Sequence, residues 1–132
     1  MKAMTSTEDS VLELTRTMRE YEAANNSREL DRVLAHIASD ASYWFSDGSH
    51  YGHAEIRVAL LNTFEAIQEE KYSIHDLTWV TVSADIAVCR YHFSWTGLVE
   101  GQPRSGAGRG TNVLVKHDSG WLIEHEQLTS DG

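Results

Sequence analysis

At 132 residues the chain is the size of one domain and long enough to bury a core without disulfide or metal. Eleven Lys and Arg against 20 Asp and Glu leave a formal net charge of −9, which opposes counterion-release binding to a phosphate backbone, so no nucleic-acid partner is expected. The single cysteine, Cys89, cannot close an internal disulfide, MKAMTSTEDS lacks the apolar stretch of a secretory signal, and no apolar run approaches the roughly 18 residues of a membrane span. A soluble, cytoplasmic protein without membrane contact is the expectation.

Residues 1–9 read as a flexible N-terminus and 10–132 as one domain. Val11, Leu14, Met18 and Tyr21 form the apolar stripe of a first helix, with Thr5 and Glu8 in a capping-box arrangement before it. The stripe carries Tyr21 toward the core. After a break at Asn25 to Ser27, with Ser27 as N-cap, Leu30, Val33, Leu34 and Ile37 predict a second helix. A short strand, Ser42 to Phe45, follows, and the spacing of Ile56, Leu60, Leu61, Phe64 and Ile67 after Gly52 predicts a third helix.

From Tyr72 the pattern changes to β-branched and aromatic runs: Tyr72 to Val82, Ile86 to Thr96, Thr111 to Lys116 and Trp121 to Thr129. Short polar connections at Ser83 to Asp85 and Asp118 to Gly120 predict an antiparallel meander. Gly97 to Gly110, GLVEGQPRSGAGRG, holds five glycines and the only proline, and reads as a mobile hairpin loop, because it lacks the GK[ST] and following helix of a phosphate loop. Helices grouped ahead of an antiparallel sheet make an α+β architecture with the helices on one sheet face.

Seven histidines raise the question of a metal, but His50 and His53 straddle Tyr51-Gly52 and no H-E-x-x-H or Cys/His cluster appears, so neither metal nor cofactor is expected. Cys89, in a strand centre, is no candidate nucleophile. On the strand from Ile86, Val88, Arg90, His92 and Ser94 alternate with Ala87, Cys89, Tyr91, Phe93 and Trp95. Either the aromatics enter the core or the polar set faces a pocket, and a slip of one residue exchanges the two. On the last strand His125 and Gln127 share a face with Trp121 and Ile123, while Glu124 and Glu126 suit solvent. A His at pocket depth would titrate near neutrality and could serve as acid or base.

The element order resembles the nuclear transport factor 2-like superfamily, and GRGTNVLVKHDSGWLIEHEQLTS resembles the closing hairpin of its SnoaL-like members. The resemblance implies a cone, in which a curved sheet wraps the first helix around a pocket. Within the superfamily, Tyr21 to Gly48, YEAANNSRELDRVLAHIASDASYWFSDG, is similar to the helix, helix, strand segment of the steroid isomerases. That comparison places Tyr21 at the oxyanion tyrosine and Asn112 at the neutral acid, and it puts Phe45 where the base would stand. Asp47, two residues on, is the substitute carboxylate if the strand end bends inward. Comparison with the isomerases and with calmodulin-dependent kinase association domains turns Arg90 and His92 into the pocket and the aromatic set onto the outer sheet face, where a homodimer would form. The expected site then has Tyr21, Asp47 and His125 as catalytic candidates and Tyr43, Phe45, Val88, Arg90, His92, Asn112 and Gln127 as ligand contacts. The expected partner is a small, partly apolar organic molecule, bound only or also isomerised or cyclised; the alternative is a non-enzymatic association domain with a vestigial pocket.

Overall fold

The computed structural model describes residues 6–131. Three helices, α1 (Ser6–Ser27), α2 (Leu30–Leu34) and α3 (Gly52–Ala66), accompany six strands, β1 (Ile37–Phe45), β2 (Gly48–Tyr51), β3 (Gln68–Val82), β4 (Ile86–Val99), β5 (Gln102–His117) and β6 (Gly120–Ser130). The strands form one sheet in the order β2-β1-β6-β5-β4-β3. All neighbours are antiparallel except β1 and β6, which run parallel.

The first helix follows its apolar stripe. Leu14, Met18, Tyr21 and Ala24 are buried. Its polar residues cover the exposed edge of β3: Arg19 donates to the Ile74 carbonyl at 2.8 Å, Glu22 accepts from the Ile74 amide at 2.6 Å, and Asn26 bonds both the amide and the carbonyl of Tyr72 at 2.8 Å. Glu22 and Asn26, four apart on one helix face, thus satisfy backbone groups that an edge strand leaves open. Thr5, and with it the expected capping box, lies outside the described residues. The helix already runs through residues 6–9 and ends later than the sequence suggests, at Ser27, where Arg28 turns the chain with φ +60°. Ser27 is no N-cap for α2: Glu29 holds that position, and the Ser27 hydroxyl donates to the Ala24 carbonyl at 2.6 Å. The second helix stops at Leu34, and Ile37 opens β1 instead of closing a helix.

The glycine-rich segment 97–110 is not a loose loop but the turning point of the longest hairpin in the sheet. Glu100 (φ +52°) and Gly101 (φ +77°) make a two-residue turn with both central residues left-handed, the geometry that suits the twist of paired strands. The register pairs Tyr91 with Gly110, Phe93 with Gly108 and Trp95 with Gly106. Each ring lies over its glycine, so that a Cβ at Gly108 would meet Phe93 Cζ at 2.6 Å and also collide with the Thr129 carbonyl. The glycines therefore exist to seat three aromatic rings on the concave face. Gly108→Ala should cost about 1–3 kcal/mol by overpacking, measured as a lower urea midpoint with an unchanged slope.

Candidate functional site

Strand β4 settles its two faces by these cross-strand pairs. Ala87, Cys89, Tyr91 and Phe93 are buried and face inward, while Arg90 and His92 are exposed on the convex side. The expected inward placement of Arg90 and His92 is thus reversed, because rings can sit only where the facing strand has glycine. His92 pairs with Asp76 at 3.2 Å in solvent, and Val88 shares its outer face, half-buried. The aromatic residues Tyr91, Phe93 and Trp95, expected to cover the outer face, form the inner wall.

Strand β6 reverses a second expectation. Val113 pairs with His125 but the next residue of β5, Leu114, pairs with Ile123, so Glu124 is an extra residue in β6. A bulge of one residue exchanges the faces beyond it. Trp121 and Ile123 face inward as expected, but past the bulge Glu126 and Leu128 take the inner face. His125 and Gln127 turn outward. His125 Nδ1 lies 2.7 Å from the Ser42 hydroxyl with the Trp44 ring edge-on at 5.0 Å, and Gln127 is exposed. At the bulge, Glu124 lies against Asp40; burial first, then hydrogen bonding and charge from Asp40, raise its carboxyl above the ordinary value.

Glu126 is consequently the buried carboxyl of the concave face, 3% exposed. Tyr21 Oη donates to its Oε1 at 2.9 Å and Asn112 Nδ2 at 3.2 Å, with Tyr91 Oη at 3.4 Å from the same oxygen. Tyr91 also donates to Asn112 Oδ1 at 2.9 Å, and the Tyr43 and Tyr21 hydroxyls are 2.8 Å apart. The helix stripe delivers Tyr21, β1 delivers Tyr43, β4 Tyr91, β5 Asn112 and β6 the carboxyl, so five elements converge on one group. Among the described residues no hydrogen bond ends on Oε2. Burial pushes the Glu126 carboxyl up to about 7 against the opposing pull of its three donors. Burial likewise raises Tyr21, Tyr43 and Tyr91 well above the phenolic range, so they stay neutral donors.

This cluster is the floor of a cavity of about 330 Å³, near the lower end of small-molecule sites. Tyr21 and Glu126 line it at depth; Phe45, Leu60, Phe64, Ile67, Phe93 and Trp95 give an apolar wall, and Asp47 and Glu70 are further carboxyls in the lining. The Asp47 side chain is 80% exposed and lies 3.8 Å from His50 Nε2, so it stands at the mouth. Burial raises the Glu70 carboxyl, with the nearby Arg28 guanidinium opposing the rise. Arg28, besides its pairing with Glu70, donates to the carbonyls of Phe64 and Ile67 and so closes the end of α3.

Of the residues singled out in the sequence, the structure thus brings Tyr21, Tyr43, Phe45 and Asn112 together around the cavity floor and leaves Asp47 at its rim. Val88, Arg90, His92, His125 and Gln127 are on the other side of the sheet. Glu126, Tyr91, Phe93, Trp95 and Glu70 were missed. A sequence signal existed for the aromatics: folding V-E-G-Q as a two-residue turn pairs 91, 93 and 95 with glycines. None existed for Glu126, because a bulge leaves no mark on a run of alternating residues. Cys89, buried and with its thiol pushed up to about 12 mainly by burial, is not a nucleophile. Among the described residues no three His, Cys, Asp or Glu side chains group as metal ligands, and no helix is long and apolar enough to cross a membrane.

A carboxyl that holds its proton more tightly folded than unfolded makes stability pH-dependent with a definite sign. Between the ordinary glutamate value near 4.5 and about 7 the native state carries the extra proton, so stability is fullest below that window and falls as pH rises through it. The loss is at most about 3 kcal/mol. Glu126→Gln should flatten this part of the profile and be the more stable protein at pH 8, as read from urea unfolding at pH 5, 6.5 and 8.

Comparison with known proteins places the geometry. The model of the SnoaL-like domain matches residues 14–129. Among solved structures, a nuclear transport factor 2-like superfamily protein from Salmonella enterica subsp. enterica serovar Typhimurium str. LT2 superposes with TM-score 0.88 at 17% identity, covering 96% of this chain and 94% of that one. A ketosteroid isomerase-like protein from Erwinia carotovora atroseptica SCRI1043 gives 0.79 at 21%, covering 92% and 95%. A protein of unknown function with a cystatin-like fold from Nostoc punctiforme PCC 73102 gives 0.80 at 15%, covering 98% and 96%. No curated protein sequence matches the chain. At these identities the structural likeness establishes the fold, one shared with nuclear transport factor 2-like proteins, and the family model, which spans most of the chain, establishes the family: the chain belongs to the SnoaL-like family.

Proposed function

We propose that the protein binds a small, partly apolar organic molecule in the cone and moves a proton on it, in an isomerisation, elimination or cyclisation, with Glu126 as the proton carrier. The observation that supports this most is the carboxyl itself: buried, and pushed up to about 7 by that burial, anchored through Oε1 and with Oε2 free of protein hydrogen bonds among the described residues, at the floor of an apolar cavity. A general base or acid works best when its pKa lies near the operating pH, and desolvation brings this one there. Its three donors fix the carboxyl plane, so that the proton transfers at Oε2 without side-chain rearrangement. Tyr21, the one donor residue that also lines the cavity, gives its proton to Glu126 Oε1 and accepts one from Tyr43, so it meets a substrate hydroxyl as an acceptor. Phe45 stays a wall residue, and Asp47 acts at the mouth.

The convex face supports the second half of the reading, a homodimer. Trp44, Tyr51, Val80 and Ile86 are exposed there, at 44%, 54%, 57% and 48%, beside the half-buried Val88 and Val113. An apolar sheet surface of this kind calls for a covering partner.

Carbon-proton abstraction by a desolvated carboxylate can be measured without the natural substrate, using the ring opening of 5-nitrobenzisoxazole. The wild type should accelerate it with a rate that rises through a midpoint near pH 7, and Glu126→Gln should lose at least a hundredfold. Equal rates in the two proteins, or a profile flat from pH 5 to 9, would remove Glu126 from the role. In sedimentation the wild type should run as a dimer at micromolar concentration and Ile86→Glu as a monomer that retains the cavity chemistry; a monomeric wild type would contradict the dimer.

A further inference from the structure

We infer that the cavity selects an organic cation, an amine or ammonium group carried on an apolar body, over a neutral or anionic molecule of the same shape. The inference rests on reading the cone as a small-molecule site and adds the charge class of its ligand. The ionisable carboxyls in the lining are Asp47, Glu70 and Glu126, and among the described lining residues none is Lys, Arg or His. Arg28 stands behind this wall, 3.8 Å from Glu70 and 5.0 Å from the centre of the Phe64 ring, and so compensates Glu70. Two carboxyls remain. Asp47 at the mouth has His50 at 3.8 Å, and Glu126 at the floor is surrounded by neutral donors only.

An anion entering this space would meet Glu126 with no cation to receive it, in surroundings dry enough to shift the carboxyl that far. A cation would find the reverse. Oε2 of Glu126, on a residue only 3% exposed and without a hydrogen-bond partner among the described residues, can accept a hydrogen bond from an ammonium group without disturbing the bonds on Oε1. Above it, Phe45, Phe64, Tyr72, Phe93 and Trp95 offer ring faces and edges, and aromatic faces attract cations most strongly where water is excluded. The net charge of −9 adds a field that concentrates cations at the mouth.

The test is a matched series on one ring system, 2-naphthylmethylammonium, 2-naphthylmethanol and 2-naphthoate, titrated calorimetrically at pH 8 into the intact protein. The ammonium should bind at least tenfold more tightly than the alcohol, and the carboxylate should give no saturable binding. Glu126→Gln should weaken the ammonium at least tenfold while leaving the alcohol within about twofold, and Asp47→Asn, at the exposed rim where folding is not at stake, should weaken the ammonium by about threefold. An alcohol that equals or surpasses the ammonium, saturable naphthoate binding, or no binding of any of the three would overturn the inference. Tight alcohol binding together with Glu126-dependent opening of 5-nitrobenzisoxazole would do so while leaving the proton-transfer reading standing, so the two fail separately.

Discussion

One extra residue in β6 decides what the cavity contains. Without the bulge at Glu124, regular alternation would continue the face that carries Trp121 and Ile123 to His125 and Gln127, and the two glutamates would stand in solvent. With it, the strand swings Glu126 under Tyr21 and Asn112 and presents His125 to the convex side. A bulge costs a ladder position and is tolerated where it re-aims a side chain. Here the neighbouring strand is irregular at the same level, between Ile37 and Ser42, so the parallel pair β1 and β6 accommodates the step together.

The buried carboxyl is the consequence that matters. A charge taken out of water is expensive unless donors replace the solvent, and the cone supplies three to one oxygen and none to the other. The donors are not enough to hold the ordinary glutamate value, and the balance falls where proton uptake and release both occur near neutrality. A fully satisfied carboxylate would have been structural, locked in its charged form. An unsatisfied one would have stayed protonated. The lopsided arrangement, with Oε1 anchored and Oε2 open to the cavity, lies between these and is the arrangement that a proton carrier needs.

The fold was legible because its signals are local and repeated. The α1 stripe, the α3 stripe and the meander of β-branched runs each state their own structure, and the resemblance to the isomerases points to Tyr21 through the segment Tyr21 to Gly48 and to Asn112 through the closing hairpin, without reference to the sheet faces. What the sequence hid depends on pairing across strands. The glycines at 106, 108 and 110 looked like looseness until their partners were known to be Trp95, Phe93 and Tyr91, and only then do they fix which face of β4 is inside. The parity of β6 depends on a single unpaired residue, for which composition offers no clue. The family resemblance therefore puts Arg90 and His92, and regular alternation puts His125 and Gln127, on the wrong side of the sheet, and the inward carboxyl of β6 is one residue from the His125 that alternation favours.

The absence of a carboxylate at position 45 thus does not leave the cone without a buried carboxyl, because Glu126 enters from a different strand. The direct measurement is the titration of that group. With glutamate side chains labelled at the carboxyl carbon and the Glu126 resonance assigned by its loss in Glu126→Gln, the carbon shift followed from pH 4 to 9 should turn at about 7 in the wild type. A midpoint near 4.5, the value of a glutamate in water, would contradict the account, since a carboxyl that titrates there is neither desolvated nor poised to carry a proton.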